Sequence, residues 1–246
     1  MTAALDTRPR TSALDRDTAM ELARTEYERV VALFGGLSAQ DWAKPTDCPA
    51  WDVRAVAAHM LGMAEMSASI RESMRQVKVA EKRGGVFIDA LTDLQVSERT
   101  DMSPSAITAR YAEVSPRAVK GRRRTPWFVR RSKMGATLVM NGIEEAWTLG
   151  FLIDVIMTRD PWMHRVDIAR AVGAPMELTG DHDGVLVDDV VREWAARHGQ
   201  PFTLRLTGPA GGRWGSGGPE LEFDAVEFCR ALSGRGDAAL QTEVPF

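Results

Sequence analysis

Thr46-Asp47-Cys48-Pro49-Ala50-Trp51-Asp52-Val53-Arg54-Ala55-Val56-Ala57-Ala58-His59-Met60-Leu61-Gly62 is the stretch that decides how this 246-residue chain folds. Its first half is punctuated by Pro45 and Pro49 and reads as a turn. Asp52 then stands where a helix cap belongs. Behind it Val53, Val56, Ala57, Met60, Leu61 and Ala64 recur at threes and fours, the apolar stripe of a helix that packs against others. His59 lies on this same helix.

Working outward, residues 15–34 repeat the pattern, with Leu22, Val30, Leu33 and Phe34 on one face and Gly35-Gly36 as a stop. Residues 104–119 read as a further helix, opened by Ser103 as cap and Pro104 at its first position. A short helix near residues 86–94 precedes it. The basic run 117–133, holding Arg122, Arg123, Arg124, Arg130 and Arg131, is broken by Pro126 and reads as a loop. Residues 142–172 are helical, with Pro161 bound to kink or split them because it lacks an amide hydrogen. Gly173 and Pro175 end them.

Beyond Asp181 the pattern changes. Residues 184–198 read as a helix, 202–207 alternate like a strand, 208–218 are rich in glycine, and 221–223 form another short strand. Asp224 and Glu227 then make a capping-box pattern for a helix ending at Gly234. The expectation is a loose tail over 1–16, a helical bundle over 17–178, and a small α+β domain over 179–246.

Composition narrows the function classes. The 31 basic and 34 acidic residues leave a net charge of −3, which gives no general attraction to nucleic acid or to anionic membrane. No segment approaches the roughly 20 apolar residues of a spanning helix, and residues 1–18 carry no secretory apolar region. Cys48 and Cys229 have no CxxC spacing, so neither a disulfide framework nor a cysteine zinc knuckle is expected, and a reducing cytoplasm fits. The glycines of 208–218 link strand to strand and make no phosphate loop. Cys48, in a turn between prolines with no base beside it in sequence, reads as structural.

Only four histidines are present, His59, His164, His182 and His198. Asp160, His164 and Asp167 project from one side of a helix. Such a carboxylate and imidazole can grip a metal ion if another helix supplies a third ligand, and His59 is available. The plainer alternatives are Asp160 as a helix cap before Pro161 and His59 as a hydrogen-bonded core residue. Asp167 is either an acceptor that orients an imidazole or a solvent-facing partner of Arg165 or Arg170. Trp51 and Trp162 either wall a pocket or fill the core, and His182 and His198 read as surface groups.

The opening stretch resembles the signature of the mycothiol-dependent maleylpyruvate isomerase family, within the DinB-like four-helix superfamily. Arg159-Asp160-Pro161-Trp162-Met163-His164-Arg165-Val166-Asp167-Ile168-Ala169-Arg170-Ala171-Val172-Gly173 resembles its second signature. The resemblance spans roughly residues 17–173, and residues 202–234 are similar to the small sterol-carrier-like C-terminal domain that accompanies it. It implies a mainly α fold, a DinB-like four-helix bundle followed by a small α+β domain. It also implies a divalent metal, most often zinc, on His59, Asp160 and His164; isomerase members carry Glu where this chain has Asp160.

Three protein ligands leave a position for a low-molecular-weight thiol, mycothiol in this family, whose thiolate adds to a small-molecule electrophile. The adduct either rotates and expels the thiolate, as in an isomerase, or is released, as in an S-transferase. Arg122, Arg123 and Arg124 can attract an anionic cofactor or substrate; the other reading is a solvated run. No catalytic residue is assigned, and the oligomeric state is unreadable. Two rivals stand beside the enzyme: a metal- or apolar-ligand-binding protein without turnover, and a nucleic-acid binder using 117–133. Two histidines and one carboxylate also suit iron.

Overall fold

The computed structural model describes residues 9–135, 138–140, 142–236, 240 and 242–246. Most of the expected tail, residues 1–8, lies outside them. The chain forms two compact units: Arg16–Thr125 with Met157–Met176, and Met1–Asp15 with Pro126–Ile156 and Glu177–Phe246. Among the described residues no helix is long and apolar enough to cross a membrane.

The first unit is a helical bundle. It consists of α1 (Arg16–Gly36), α2 (Val53–Ala68), α3 (Ile70–Arg83), α4 (Phe87–Ser97), α5 (Pro104–Arg124) and α8 (Met157–Val172). Helix α2 packs on α5, α8, α3 and α4, while α1 packs on α5 and α8. Tyr27, Phe34, Val53, Val56, Met60, Leu61, Ile107, Tyr111 and Ile168 fill the shared core. Asp52 caps α2 by accepting from the amide of Ala55 at 2.8 Å. Ser103 does the same for α5 through the amide of Ala106 at 3.2 Å, with Pro104 at the first position.

Helix α3 is not legible from apolar periodicity, because its face is mostly charged; it is held between a Ser69 cap and Gly84 at φ 72°. Helix α5 continues to Arg124, so the part of the basic run read as a loop is helical that far, and a short α6 (Trp127–Arg130) follows. Arg122 explains the continuation. Pro161 lies inside α8 and cannot donate to the carbonyl four residues back, that of Met157. Arg122 donates to that carbonyl at 2.9 Å and also to the Thr158 hydroxyl, so a side chain on α5 replaces the missing backbone bond. The helix therefore runs through the proline.

The second unit gathers segments distant in sequence. Residues 126–156, expected in the bundle, belong here. They carry β1 (Leu138–Met140) paired antiparallel with β2 (Ile143–Glu145), then α7 (Leu149–Phe151) and a π-helical turn (Leu152–Ile156), so the helix expected over 142–172 starts only at Leu149, its first residues pairing as a strand instead. Met134, Trp147, Phe151, Val155 and Ile156 pack together. The C-terminal part has α9 (Asp183–His198), β3 (Thr203–Thr207), β4 (Gly212–Gly215), β5 (Glu220–Asp224) and α10 (Ala225–Leu232). Strand β3 is central, antiparallel to β4 and parallel to β5, with Leu204 opposite both Trp214 and Leu221. Strand β4 lies within the glycine-rich run read as a link. Asp224 caps α10 through the amides of Val226 and Glu227.

Glu145 ties the unit together. Its carboxylate accepts from Arg10 at 2.7 Å and from Arg197 at 2.7 Å. Burial works against its charge, and the two guanidiniums outweigh that, holding the carboxyl down to about 2.

Candidate metal centre

Helix α2 presents His59 and helix α8 presents Asp160 and His164. Nε2 of His59 lies 3.3 Å from Oδ1 of Asp160, and Nε2 of His164 lies 3.5 Å from the same oxygen. All three offer a ligand atom within 4.8 Å of the others. A tetrahedral ion with bonds of about 2.0–2.1 Å sets its ligand atoms roughly 3.3 Å apart, and both separations from Asp160 match that spacing. Asp160 is inside α8 and does not cap it. Its side chain is 15% exposed and the most open of the three, those of His59 and His164 being 4% and 6%.

The opposite ring nitrogens are both engaged. Nδ1 of His164 is 2.9 Å from Oδ2 of Asp167, and Nδ1 of His59 is 2.8 Å from Oε1 of Gln95. A carboxylate or amide oxygen only accepts, so in the neutral ring Nδ1 carries the proton and the lone pair of Nε2 faces the other imidazole and Asp160. That is the tautomer a metal ligand needs.

Gln95 on α4 carried no sequence signal. Its orientation is fixed because its Nε2 donates to Oε1 of Gln76 at 2.9 Å, while Gln76 donates to the Gly62 carbonyl at 3.1 Å. Gly62, in the opening stretch, makes room for it: a Cβ there would stand 2.6 Å from Cβ and Cγ of Gln95.

Burial opposes charge on Asp160, but the adjacent His59 and His164 outweigh it and hold the carboxyl well below the ordinary range. Burial likewise opposes charge on His164, and Asp160 outweighs it and raises the imidazole well above its usual value. Without metal, the site therefore attracts a proton where a cation is wanted.

Around the triad, the Trp51 ring lies 5.2 Å from His59 and 6.2 Å from His164, centroid to centroid, whereas Trp162 is core. Cys48 is not the isolated thiol its turn suggested. Its Sγ donates to Oδ2 of Asp167 at 3.5 Å across 119 residues, and Cys48, His164 and Asp167 form a second group within 4.8 Å. The first group suits a metal better, because Nδ1 of His164 is already bonded to Asp167.

Arg122 is buried and bonded to Met157 and Thr158. Arg123 and Arg124 are exposed at the end of α5, Arg123 standing 3.7 Å from Asp17, and among the described residues no hydrogen bond or ion pair joins either to the triad. His182 is buried rather than superficial, and His198 is half-buried against Trp194 at 4.2 Å.

A small cavity of about 10 Å³ adjoins Asp160, with Met60, Met63, Met157 and Tyr111 among its lining residues. Tyr111 is fully buried, and its hydroxyl has no hydrogen-bond partner among the described residues. Leaving such a group unpaired costs about 1–3 kcal/mol.

Two uncharacterized proteins from two strains of Mycobacterium tuberculosis are each 26% identical over 237 residues, covering 86% of this chain and 83% of theirs. A crystal structure of the mycothiol-dependent maleylpyruvate isomerase superposes with a TM-score of 0.59 at 16% identity, covering 94% of this chain and 95% of that one. A histidine-to-alanine mutant of that enzyme gives 0.55 at 15% identity. At these identities the structures establish a shared fold. Residues 23–169, more than half of the sequence and spanning all three candidate ligands, match the mycothiol maleylpyruvate isomerase N-terminal domain, and the chain belongs to that family.

Proposed function

We propose that this protein is a divalent-metal, mycothiol-dependent enzyme of the maleylpyruvate isomerase type, acting as an isomerase or an S-transferase on a small electrophile. The observation that carries the reading is the convergence of two Nε2 atoms on Asp160 while both Nδ1 atoms are held by oxygen acceptors. Family membership and the shared fold support it. A divalent ion there, zinc being our choice, would lower the pKa of a bound thiol and so supply a thiolate near neutral pH.

The chain's own residues do the rest. His59, Asp160 and His164 hold the ion, Gln95 and Asp167 keep the imidazoles in the binding tautomer, and Trp51 covers their faces. With one carboxylate and two neutral imidazoles the protein contributes a single negative charge, so a divalent ion keeps net positive charge with which to attract a thiolate.

Protein purified without chelator should contain about one divalent ion per chain. His59→Ala and His164→Ala should each lose most of it, as read by elemental analysis. In the Co(II)-substituted protein, addition of mycothiol should produce a thiolate-to-metal absorption band and release a proton. Undiminished metal in both variants would refute the ligand set; a spectrum indifferent to every thiol would refute the thiol chemistry alone.

A further inference from the structure

Trp127 and Phe128 stand on the surface of the second unit with 69% and 62% of their area open to solvent. A large ring left in water forgoes the burial that normally holds it, and two consecutive rings in that position are not explained by the core. Their base is fixed. Val129 and Arg130, which follow them in α6, are half-buried; Arg130 pairs with the buried Asp154, and its carbonyl lies so close to Gly150 that a Cβ there would stand 3.0 Å from it. The amide of Leu149 donates to the Ser132 carbonyl at 2.9 Å. The segment is thus tied to α7 while both rings remain in solvent.

The charge beside the rings has one sign. Residues 126–135 contain three basic residues and no acidic one. Arg130 is taken up by Asp154, which leaves Arg131 and Lys133, both exposed and neither ion-paired among the described residues. The chain's net charge of −3 gives no attraction to an anionic surface at large, so the attraction is local to this segment.

Ring geometry and charge together select the partner. A second copy of the chain is disfavoured, because a two-fold contact through these rings would bring Arg131 and Lys133 of one copy against the same cations of the other. Single-stranded nucleic acid stacks successive bases on aromatic faces, whereas these rings stand at 89° to each other with centroids 6.2 Å apart and cannot both lie along one base stack. A bilayer interface makes no such demand: rings lodge at headgroup level, and neighbouring cations meet anionic headgroups.

We propose that Trp127 and Phe128, with Arg131 and Lys133, form a peripheral docking surface for a lipid bilayer that contains anionic lipid. The rings enter the headgroup region, and the two cations hold anionic lipids around them. The contact is superficial, which suits a chain whose described helices include none able to cross a membrane.

The test mixes the full-length protein with sucrose-loaded vesicles of phosphatidylcholine alone, or of an equal mixture with phosphatidylglycerol, and reads the bound fraction by sedimentation. Wild type should bind the mixed vesicles and leave the neutral ones, and added salt should weaken the binding. Trp127→Ala with Phe128→Ala should lower partitioning about 10-fold or more. Arg131→Gln with Lys133→Gln should lower it about 30-fold, roughly 5-fold for each cation near an anionic surface. Ile70→Ala with Met74→Ala, which removes an exposed apolar pair on α3, should leave it at the wild-type level.

No binding to the mixed vesicles, equal binding to the neutral ones, or an equal loss on substituting Ile70 and Met74 would overturn the assignment. A lower melting temperature on substituting Trp127 and Phe128 would also overturn it, because the rings would then serve the fold. Binding of a labelled single-stranded oligonucleotide that depends on Trp127, by a protein that ignores vesicles, would assign the surface to nucleic acid instead. A dimer abolished by the same substitutions would assign it to a second copy of the chain.

Discussion

Gln95 and Asp167 act on the candidate ion only through the imidazoles they hold, yet such partners commonly account for 10- to 100-fold in metal affinity. Gln95→Leu should therefore weaken binding by about that factor in competition with a chelator. Gly62→Ala should do so more mildly, by pressing a methyl group against the Gln95 side chain. Protons compete for the same site. Because the His164 imidazole is raised in the metal-free protein, the stability it lends is complete below the ordinary imidazole value and is lost as pH rises through the raised one. Metal affinity should run the opposite way, falling as pH drops below the raised value. Metal titrations across a pH series would check the sign. The grouping of His59, Asp160 and His164 was legible in the sequence because Asp160 and His164 sit one helical turn apart and His59 interrupts an apolar stripe. Gln95 was not, since a lone glutamine on another helix has no pattern, and neither was the approach of Cys48 to Asp167 across 119 residues.

Helices announce themselves through caps and stripes, and α1, α2 and α5 were read within a few residues on that basis. Two departures among the helices have definite causes. Helix α3 has a charged face held by local pairs such as Arg75 with Glu72, so apolar periodicity is the wrong signal for it. The end of α5 was lost because Arg122 resembles part of a solvated run while it is buried against α8. The exchange between Arg122 and Pro161 can be measured. Arg122→Leu should destabilise the bundle by about 1–3 kcal/mol, the cost of leaving the Met157 carbonyl buried without a donor. Pro161→Ala in that background should recover part of the loss, because alanine restores the backbone amide. A double-mutant cycle in urea should show coupling of about 0.5–3 kcal/mol; additive effects would mean that the guanidinium does not substitute for the amide.

Glu145 joins the three chain segments of the second unit, and its effect should be visible in the stability of the whole protein. Its folded carboxyl is held near 2 against an ordinary 4.5, so its contribution is complete above the ordinary value and is lost as pH falls toward 2. Glu145→Gln should flatten the acid limb of the stability curve over that window, as read by denaturant midpoints. The helix α9, the strand β3 and the capped α10 that follow residue 178 were legible from periodicity and capping. The recruitment of residues 9–15 and 126–156 was not, because it depends on long-range pairing that leaves no local trace. The order in which a ribosome delivers the segments gives this discontinuity a temporal meaning. The bundle has all its helices once residue 176 has emerged, whereas Glu145, which Arg10 meets across 135 residues of chain, is joined by Arg197 only after that. Vectorial synthesis thus makes every side chain of the candidate metal centre available before the ion-pair network on Glu145 can be completed.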